Sequence, residues 1–176
     1  MQQKGYAGVS ARDIADALAF SKANFFYHVK SKQDLLYHIF VEPLQLTIRR
    51  VEEILARQAP AVDTLRALID LYVQLMTDHT AVMLVWFKER SHLTPEHHAE
   101  VIQLERHIQG LANKFYADAI HRGEFRAVHP SLARISIFGM CFMLCRWPHV
   151  QDELSIPELK RQLQELACGA LLRPTE

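Results

Sequence analysis

Glycine and proline are scarce in this chain of 176 residues, at six and seven residues, and alternating runs of β-branched residues are few. A chain poor in turn residues and strand patterns is expected to be all-α. No stretch reaches the roughly 18 to 20 apolar residues of a membrane span, and no signal peptide is visible at the start. We therefore expect a helical protein of the cytoplasm with no membrane partner.

The chain also lacks an excess of charge of either sign, because 20 Lys and Arg balance 20 Asp and Glu. A net charge of zero disfavours a general nucleic-acid binder, but the charges are unevenly placed. Residues 1–40 carry five Lys and Arg against three Asp, a net +2, and the remainder carries 15 against 17, a net −2. The sign of this asymmetry favours DNA as a partner of the N-terminal end.

Cysteine is limited to three residues, an odd number that makes structural disulfides unexpected in a cytoplasmic chain. Cys141, Cys145 and His149 are spaced by four residues, which leaves a metal site as an alternative to small apolar residues on a buried helix. We favour the buried helix, since Pro148 interrupts the helical spacing. Four histidines could suggest a metal site, and we assign them to solvated or capping roles instead: His92, His97, His98 and His107. Neither a metal nor a cofactor is expected.

Three helix-start patterns lie close together between Ser10 and Leu36. Ser10 with Asp13 reads as a capping box before an apolar run, and Ser31 with Asp34 repeats that spacing. Ser21 lies between them and can cap a second short helix over residues 22–28. Only about three or four residues then separate the first helix from the second, which is the connection of a helix-turn-helix.

The same segment resembles the DNA-binding head of the TetR family of bacterial regulators. The family pattern is matched by Gly5-Tyr6, by Ser10 with Ile14-Ala15, by the turn at residues 19–23, and by the recognition segment at residues 24–29. Lys30-Ser31-Lys32-Gln33-Asp34-Leu35 closes the match. Ala19 and Ala23 replace the usual glycines, and Val29 replaces the usual Phe. The first helix of such a head is reduced to a stub, so we expect that residues upstream are missing.

Residues near helix N-termini in this head are the predicted DNA contacts, since backbone N–H groups and the helix dipole favour a phosphate there. Asn can bond adenine at two points, and Lys can bond guanine or a phosphate. The resemblance adds phosphate contacts at the two positions before Val29 and an anchoring lysine at the next helix. The predicted DNA-binding residues are Ser10, Arg12, Ser21, Lys22, Asn24, Phe25, Tyr27, His28 and Lys32.

The apolar spacing predicts further helices over 35–57, 62–79, 80–90 and 95–122, with Thr94 as a cap and Gly123 as a stop. Pro43 should kink or split the first of these near Val41. The helix at 130–146 is apolar all round and is predicted to be buried on every side. Ser155 with Glu158 starts the last helix. We divide the chain into a head at 1–40 and a ligand-binding and dimerisation domain at 41–176.

The resemblance implies that the last two helices, about 130–147 and 155–172, pair with those of a second copy. The resulting C₂ dimer would present two heads to two half-sites. The body is loosely similar to the branch of the family that responds to acyl-CoA or steroid-derived ligands. The predicted ligand-binding residues are apolar side chains at helical spacing, which equally fit an ordinary core: Met76, Met83, Trp86, Phe87, Leu104, Ile108, Phe115, Met140 and Met143.

The sequence therefore predicts a homodimeric, ligand-responsive repressor that binds operator DNA, with an apolar or acyl-CoA-type effector. Two other classes stay open. One is a helical enzyme or carrier, although no nucleophile–base pair, HExxH motif or phosphate loop is present, so no catalytic residue is predicted. The other is a dimeric small-molecule-binding or interaction protein whose head no longer binds DNA.

Overall fold

A computed structural model describes residues 31–147 and 150–172, and the regular structure in these ranges is entirely helical. This confirms the all-α prediction. In chain order the helices are α1 (Lys32–Ala56), α2 (Ala61–Asp78), α3 (Thr80–Glu89), a 3₁₀ turn (Arg90–His92), α4 (Pro95–His121), α5 (Pro130–Arg146), α6 (Val150–Glu153) and α7 (Ile156–Leu171).

Local caps fix three of the helix starts, those of α1, α4 and α7, at the predicted residues. The backbone N–H of Asp34 donates to Ser31 Oγ at 3.0 Å, and that of His97 donates to Thr94 Oγ1 at 3.2 Å. Ser155 and Glu158 form a capping box before α7. Each bond satisfies an N–H group that has no partner inside its own helix.

Helix α1 continues through Pro43, so of the two predicted outcomes, a kink or a split near Val41, the split does not occur. The proline removes one N–H from the helical ladder, and the flanking residues nevertheless keep helical geometry. The hydroxyl of Thr47, one helical turn after Pro43, donates a hydrogen bond to the Pro43 carbonyl oxygen at 2.7 Å. Because α1 spans residue 40, the boundary between the two interpreted domains falls inside a continuous helix.

Two apolar clusters hold the described helices together. The larger one surrounds α2, which packs against α5 and α7, and it includes the fully buried Leu65, Leu68 and Ile69. The smaller one joins the first turns of α1 to α3 and α4 through side chains that include Leu36, Phe40 and Trp86. The beginning of α1 is therefore packed against the body of the protein.

The turn after α4 links three distant parts of the chain. Gly123 has φ of 74°, a left-handed conformation that glycine adopts without strain. The next side chain, Glu124, accepts a hydrogen bond from the N–H of Ala61 at 2.9 Å and so caps α2. Arg126 N–H donates to the Leu171 carbonyl oxygen at 2.8 Å. One short turn thus connects α4, the start of α2 and the end of α7.

Helix α5 is not buried on every side, contrary to the prediction. Leu132 and Ile135 are each 56% exposed and Met143 is 36% exposed, whereas Ile137 and Cys141 on the opposite side are buried. At 100° per residue the three exposed side chains fall on one stripe. Within the described residues no helix is both long and apolar enough to cross a membrane.

Candidate functional site

A cavity of about 270 Å³ lies among α1, α2, α3, α4 and α5. Its wall is mostly apolar, with a few polar side chains, which is the usual composition of a small-molecule site. The lining residues are Phe40, Pro43, Leu44, Thr47, Tyr72, Leu75, Val82, Met83, Trp86, Arg90, Glu105, Ile108, Gln109, Ala112, Arg134 and Phe138.

Trp86 connects the cavity to the start of α1. Its ring makes an edge contact with Phe40, with ring centroids 4.7 Å apart, and the guanidinium carbon of Arg90 lies 5.7 Å from the indole centroid. Such an edge contact and a cation over an indole face are each favourable. Trp86 is only 7% exposed. Its position is therefore fixed by packing on one side and by a charge on the other.

An ion pair forms one polar region of the cavity wall, which we call its first end. Arg90 Nη2 lies 3.3 Å from Glu105 Oε2, and both side chains line the wall. Arg90 follows α3 and Glu105 lies on α4, so the pair connects two elements. Because the two charges are opposite and adjacent, this end of the cavity is close to neutral overall.

A second polar region of the wall, which we call its second end, is formed by α5 and α2. Arg134 Nε–H donates to Asn113 Oδ1 at 3.0 Å, so α5 is tied to α4. Tyr72 on α2 stands edge-on to Phe138, with ring centroids 5.5 Å apart. Burial raises the pKa of Tyr72 to about 12, although the positive charge of Arg134 acts in the opposite direction. The phenol is therefore protonated at neutral pH and available as a hydrogen-bond donor.

Three of the nine predicted ligand-binding residues line this cavity, namely Met83, Trp86 and Ile108. Five others lie elsewhere. Met76 and Phe115 are buried in the larger cluster, and Met143 is 36% exposed. Leu104 is partly buried against the smaller cluster and Met140 against the larger one. None of these five residues lines the cavity. The backbone of Phe87 belongs to α3, and its side chain lies outside the description.

The charged lining residues were missed by sequence reasoning, as was the contribution of α1. Glu105 follows Leu104, which is partly buried against the smaller cluster, and Arg134 follows the buried Ala133. A charged residue at the margin of a buried stripe is a usable sign of a polar group facing a cavity, because an unaccompanied buried charge is costly. Arg90 carries no such sign, since it lies between helices.

The predicted DNA contacts are almost all outside the described residues. This applies to Ser10, Arg12, Ser21, Lys22, Asn24, Phe25, Tyr27 and His28. Lys32 is the first residue of α1, and its side chain is not described. These residues remain predictions.

The cysteines behave as core residues. Burial raises the pKa of Cys141 to about 12 and that of Cys145 to about 11. The Cys145 sulfur lies 3.3 Å from the sulfur of Met76. Among residues 31–147 and 150–172, no group of three or more potential ligands is placed to hold a metal ion.

Two family models match the chain. The model for the N-terminal part of bacterial regulatory proteins of the tetR family matches residues 1–39. The model of the tetracyclin repressor-like C-terminal domain matches residues 58–171, more than half of the chain. No curated protein sequence matches.

Solved structures agree in fold. A TetR/AcrR-family regulator from Thermobifida fusca YX-ER1 is 26% identical, with a TM-score of 0.73 over 94% of this chain and 88% of that one. The ketosteroid transcriptional regulator KstR2 of Mycobacterium tuberculosis is 17% identical, with a TM-score of 0.80 over 97% and 88%. AibR, solved with isovaleryl coenzyme A and operator DNA, is 23% identical, with a TM-score of 0.75 over 93% and 89%. The chain therefore belongs to the TetR family of transcriptional regulators, with a DNA-binding domain at its N-terminal end and a ligand-binding domain after it.

Proposed function

We propose that this chain is a cytoplasmic homodimeric repressor that leaves its operator when a small apolar or acyl-CoA-type effector enters the cavity. The observation that carries the proposal is the shared wall between the cavity and α1. Phe40, Pro43, Leu44 and Thr47 line the cavity, and they directly follow the end of the matched DNA-binding segment at residue 39. A ligand in the cavity would contact the helix that leads to the head.

The proposed release is a shift between two populations. A ligand favours one arrangement only if it binds that arrangement more tightly, and the difference in affinity sets the size of the shift. The contact between Trp86 and Phe40 supplies a physical basis, because any change in the position of the indole must be met by the first turns of α1. The spacing of two heads in a dimer would change with it.

The exposed apolar side chains support the dimer. Six large apolar residues are conspicuously exposed in the described part of the chain, and five of them belong to α5, its C-terminal end or α7. They are Leu132, Ile135, Met143, Trp147 and Leu166. Several large apolar side chains exposed on two helices that contact each other favour burial against a partner. The same surface on a second copy would give an isologous interface.

The effector class is supported by size and by the relatives. A volume of about 270 Å³ is near the lower limit of small-molecule pockets, roughly 300 Å³. It suits an acyl or ring portion, and a complete coenzyme A group would have to extend beyond it. AibR was solved with isovaleryl coenzyme A, and KstR2 is described as a ketosteroid regulator. An apolar moiety is common to both descriptions.

The decisive experiment is fluorescence anisotropy of the chain with DNA from upstream of its own gene, at two salt concentrations. We expect saturable, sequence-selective binding that weakens steeply as salt increases, because phosphate contacts release counterions. Lys22→Ala and Tyr27→Ala should weaken binding at least tenfold without unfolding the dimer, and Lys114→Ala, an exposed lysine of α4, should not. Unchanged affinity in both head variants would refute the assigned recognition helix.

A chain extended upstream should be measured in parallel. Failure of both forms to bind any DNA selectively would exclude a repressor and favour the alternative of a dimeric small-molecule-binding or interaction protein. Release of bound DNA by acyl-CoA compounds would establish the effector class. Continued binding in the presence of every acyl and apolar ligand tested would exclude it.

A further inference from the structure

Arg90 and Arg134, which both line the cavity, are each bonded to a side chain of α4. Glu105 is the partner of Arg90 at the first end, and Asn113, which is not itself part of the wall, is the partner of Arg134 at the second end. Glu105 and Asn113 are eight residues apart on a continuous helix, so about 12 Å of helix axis separates them at a rise of about 1.5 Å per residue. Ile108 and Ala112 line the wall between these ends. A ligand that spans the cavity thus meets polar, apolar and polar surfaces in turn.

The two ends differ in their balance of charge. At the first end the guanidinium of Arg90 is paired with the carboxylate of Glu105. At the second end Arg134 donates to the neutral amide of Asn113, and no carboxylate of the described residues forms an ion pair with it. A half-buried cation beside an apolar wall is unfavourable unless an anion accompanies it. The second end therefore favours an anionic ligand group.

The bonding geometry of Arg134 narrows the anion. Its Nε–H is used by Asn113, which leaves the two terminal nitrogen atoms as a planar pair of donors. A carboxylate has two oxygen atoms in one plane and matches such a pair with two parallel hydrogen bonds. The protonated phenol of Tyr72 lines the same cavity and adds another donor. One positive charge that has no ion-pair partner among the described residues favours one negative charge on the ligand.

The volume limits the apolar remainder of the ligand. An engineered apolar cavity of about 150 Å³ holds benzene, so 270 Å³ has room for roughly ten non-hydrogen atoms. An eight-carbon carboxylic acid has ten such atoms, and its extended chain is compatible with the distance between the two ends.

We infer that the effector is a free amphipathic monocarboxylate of roughly ten non-hydrogen atoms, and that Arg134 binds its carboxylate inside the cavity. This inference rests on the proposed function, because it assumes that the cavity is the effector site. The inferred effector is thus a free acid and not the thioester of an acyl-CoA, and Arg134 is the residue that selects for the free acid.

The test is isothermal titration calorimetry of the complete protein with ligands that share one chain length. Octanoate, 1-octanol, octylamine and octanoyl-CoA are compared at pH 7.5, with hexanoate and decanoate to vary length. We expect octanoate to bind at least about tenfold more tightly than the alcohol, since a hydrogen bond to a charged group contributes about 1.5–3 kcal/mol. Octylamine should bind most weakly.

The variant Arg134→Met should weaken octanoate binding by about tenfold to a hundredfold and leave the affinity for 1-octanol unchanged. Arg134→Lys keeps the charge but loses the planar pair of donors, so its affinity for octanoate should lie between those of the wild type and Arg134→Met. Arg106→Met removes an exposed arginine from the same helix as Asn113 and is the control. Far-ultraviolet circular dichroism establishes that each variant is folded, and Arg134→Lys keeps the test decisive if the Met variant unfolds.

Two results would overturn the inference. One is tight binding of octanoyl-CoA with no binding of the three free acids. The other is octanoate binding that is equal in the wild type, Arg134→Met and Arg134→Lys. Either result leaves the proposed function intact if a ligand still releases operator DNA, so DNA release is measured with the same ligands. If the ligand-free protein does not bind operator DNA, the proposed function is refuted instead.

Discussion

Glu124 should contribute measurably to stability although it lies 63 residues from the helix that it caps. Helix α2 begins after Pro60, which provides no side-chain cap, and the Glu124 carboxylate accepts from the Ala61 N–H at 2.9 Å. Its second oxygen accepts from Arg122 Nε. The bond holds the first turn of α2, a helix with eight buried residues, against the turn that follows α4.

The size of the effect follows from capping energetics. Loss of a side-chain N-cap costs about 0.5–2 kcal/mol, and a charged acceptor lies toward the upper half of that range. Glu124→Ala should therefore lower the free energy of unfolding by about 1.5 kcal/mol. For a chain of this length each 1 kcal/mol shifts Tm by roughly 2–4 °C, so we expect a decrease of about 3–6 °C. Glu124→Gln retains an acceptor oxygen and should lose about half as much.

The pH dependence has a defined sign. The hydrogen bonds from Arg122 and from the Ala61 backbone lower the pKa of Glu124 in the native state below its ordinary value of 4.5. The unfolded chain then binds more protons as the solution is acidified. The stabilisation is therefore complete above about pH 4.5 and is lost as the pH falls through the lowered native pKa.

Urea unfolding followed by circular dichroism, at pH 7 and at several lower values, measures both effects. Glu165→Gln removes an exposed carboxylate that is paired with Arg161 on α7 and should change stability by less than about 0.5 kcal/mol. A Glu124→Ala variant as stable as the wild type at pH 7 would refute the capping argument. A difference that grows as the pH falls would refute the sign.

Three further predictions concern the interface, the cavity and the core. Ile135→Asp should weaken self-association at least about tenfold in sedimentation experiments, because it places a charge on the apolar surface, and Leu46→Asp on α1 should not. Ala112→Leu adds three carbon atoms to the cavity wall and should weaken octanoate binding at least about tenfold while DNA binding without ligand is retained, with the exposed Ala99→Leu as control. Burial raises the pKa of Cys141 to about 12, so a charged thiol reagent at pH 8 should label it far more slowly in the native protein than in urea, as mass spectrometry of the labelled peptide would show. Each prediction has its own contradicting result: undiminished self-association of Ile135→Asp, unchanged octanoate affinity of Ala112→Leu, or rapid labelling of Cys141 in the native protein.

The helix limits could be read from the sequence because their causes are local. Thr94 bonds to a backbone N–H three residues on, and Gly123 supplies its conformation by itself. Pro43 was the exception: it led to the prediction of a kink or a split, whereas the helix is continuous and its neighbours Phe40 and Leu44 pack in the smaller apolar cluster. Tertiary contacts overrode the local preference there.

The cavity could be predicted only in part because five helices form it. Met76 on α2 and Met83 on α3 were both selected from the apolar spacing of their helices, yet Met76 is in the core beside Cys145 and Met83 lines the cavity. Periodicity shows that a side chain faces the interior. It does not show whether the interior at that point is filled, and the partners of Arg90 and Arg134 depend on how α4 packs against its neighbours.

In the proposed mechanism, helix α1 couples the ligand to DNA binding. Its residues Phe40 to Thr47 form cavity wall, and its first turns pack through Leu36 and Phe40 against α3 and α4. Interiors packed in this way rearrange between discrete arrangements more readily than they deform continuously. A carboxylate held at Arg134 would place the apolar part of the ligand toward Trp86, which contacts Phe40 directly. In the proposed mechanism the acid group therefore determines which ligand binds, and the contact between Trp86 and Phe40 determines what α1 does in response.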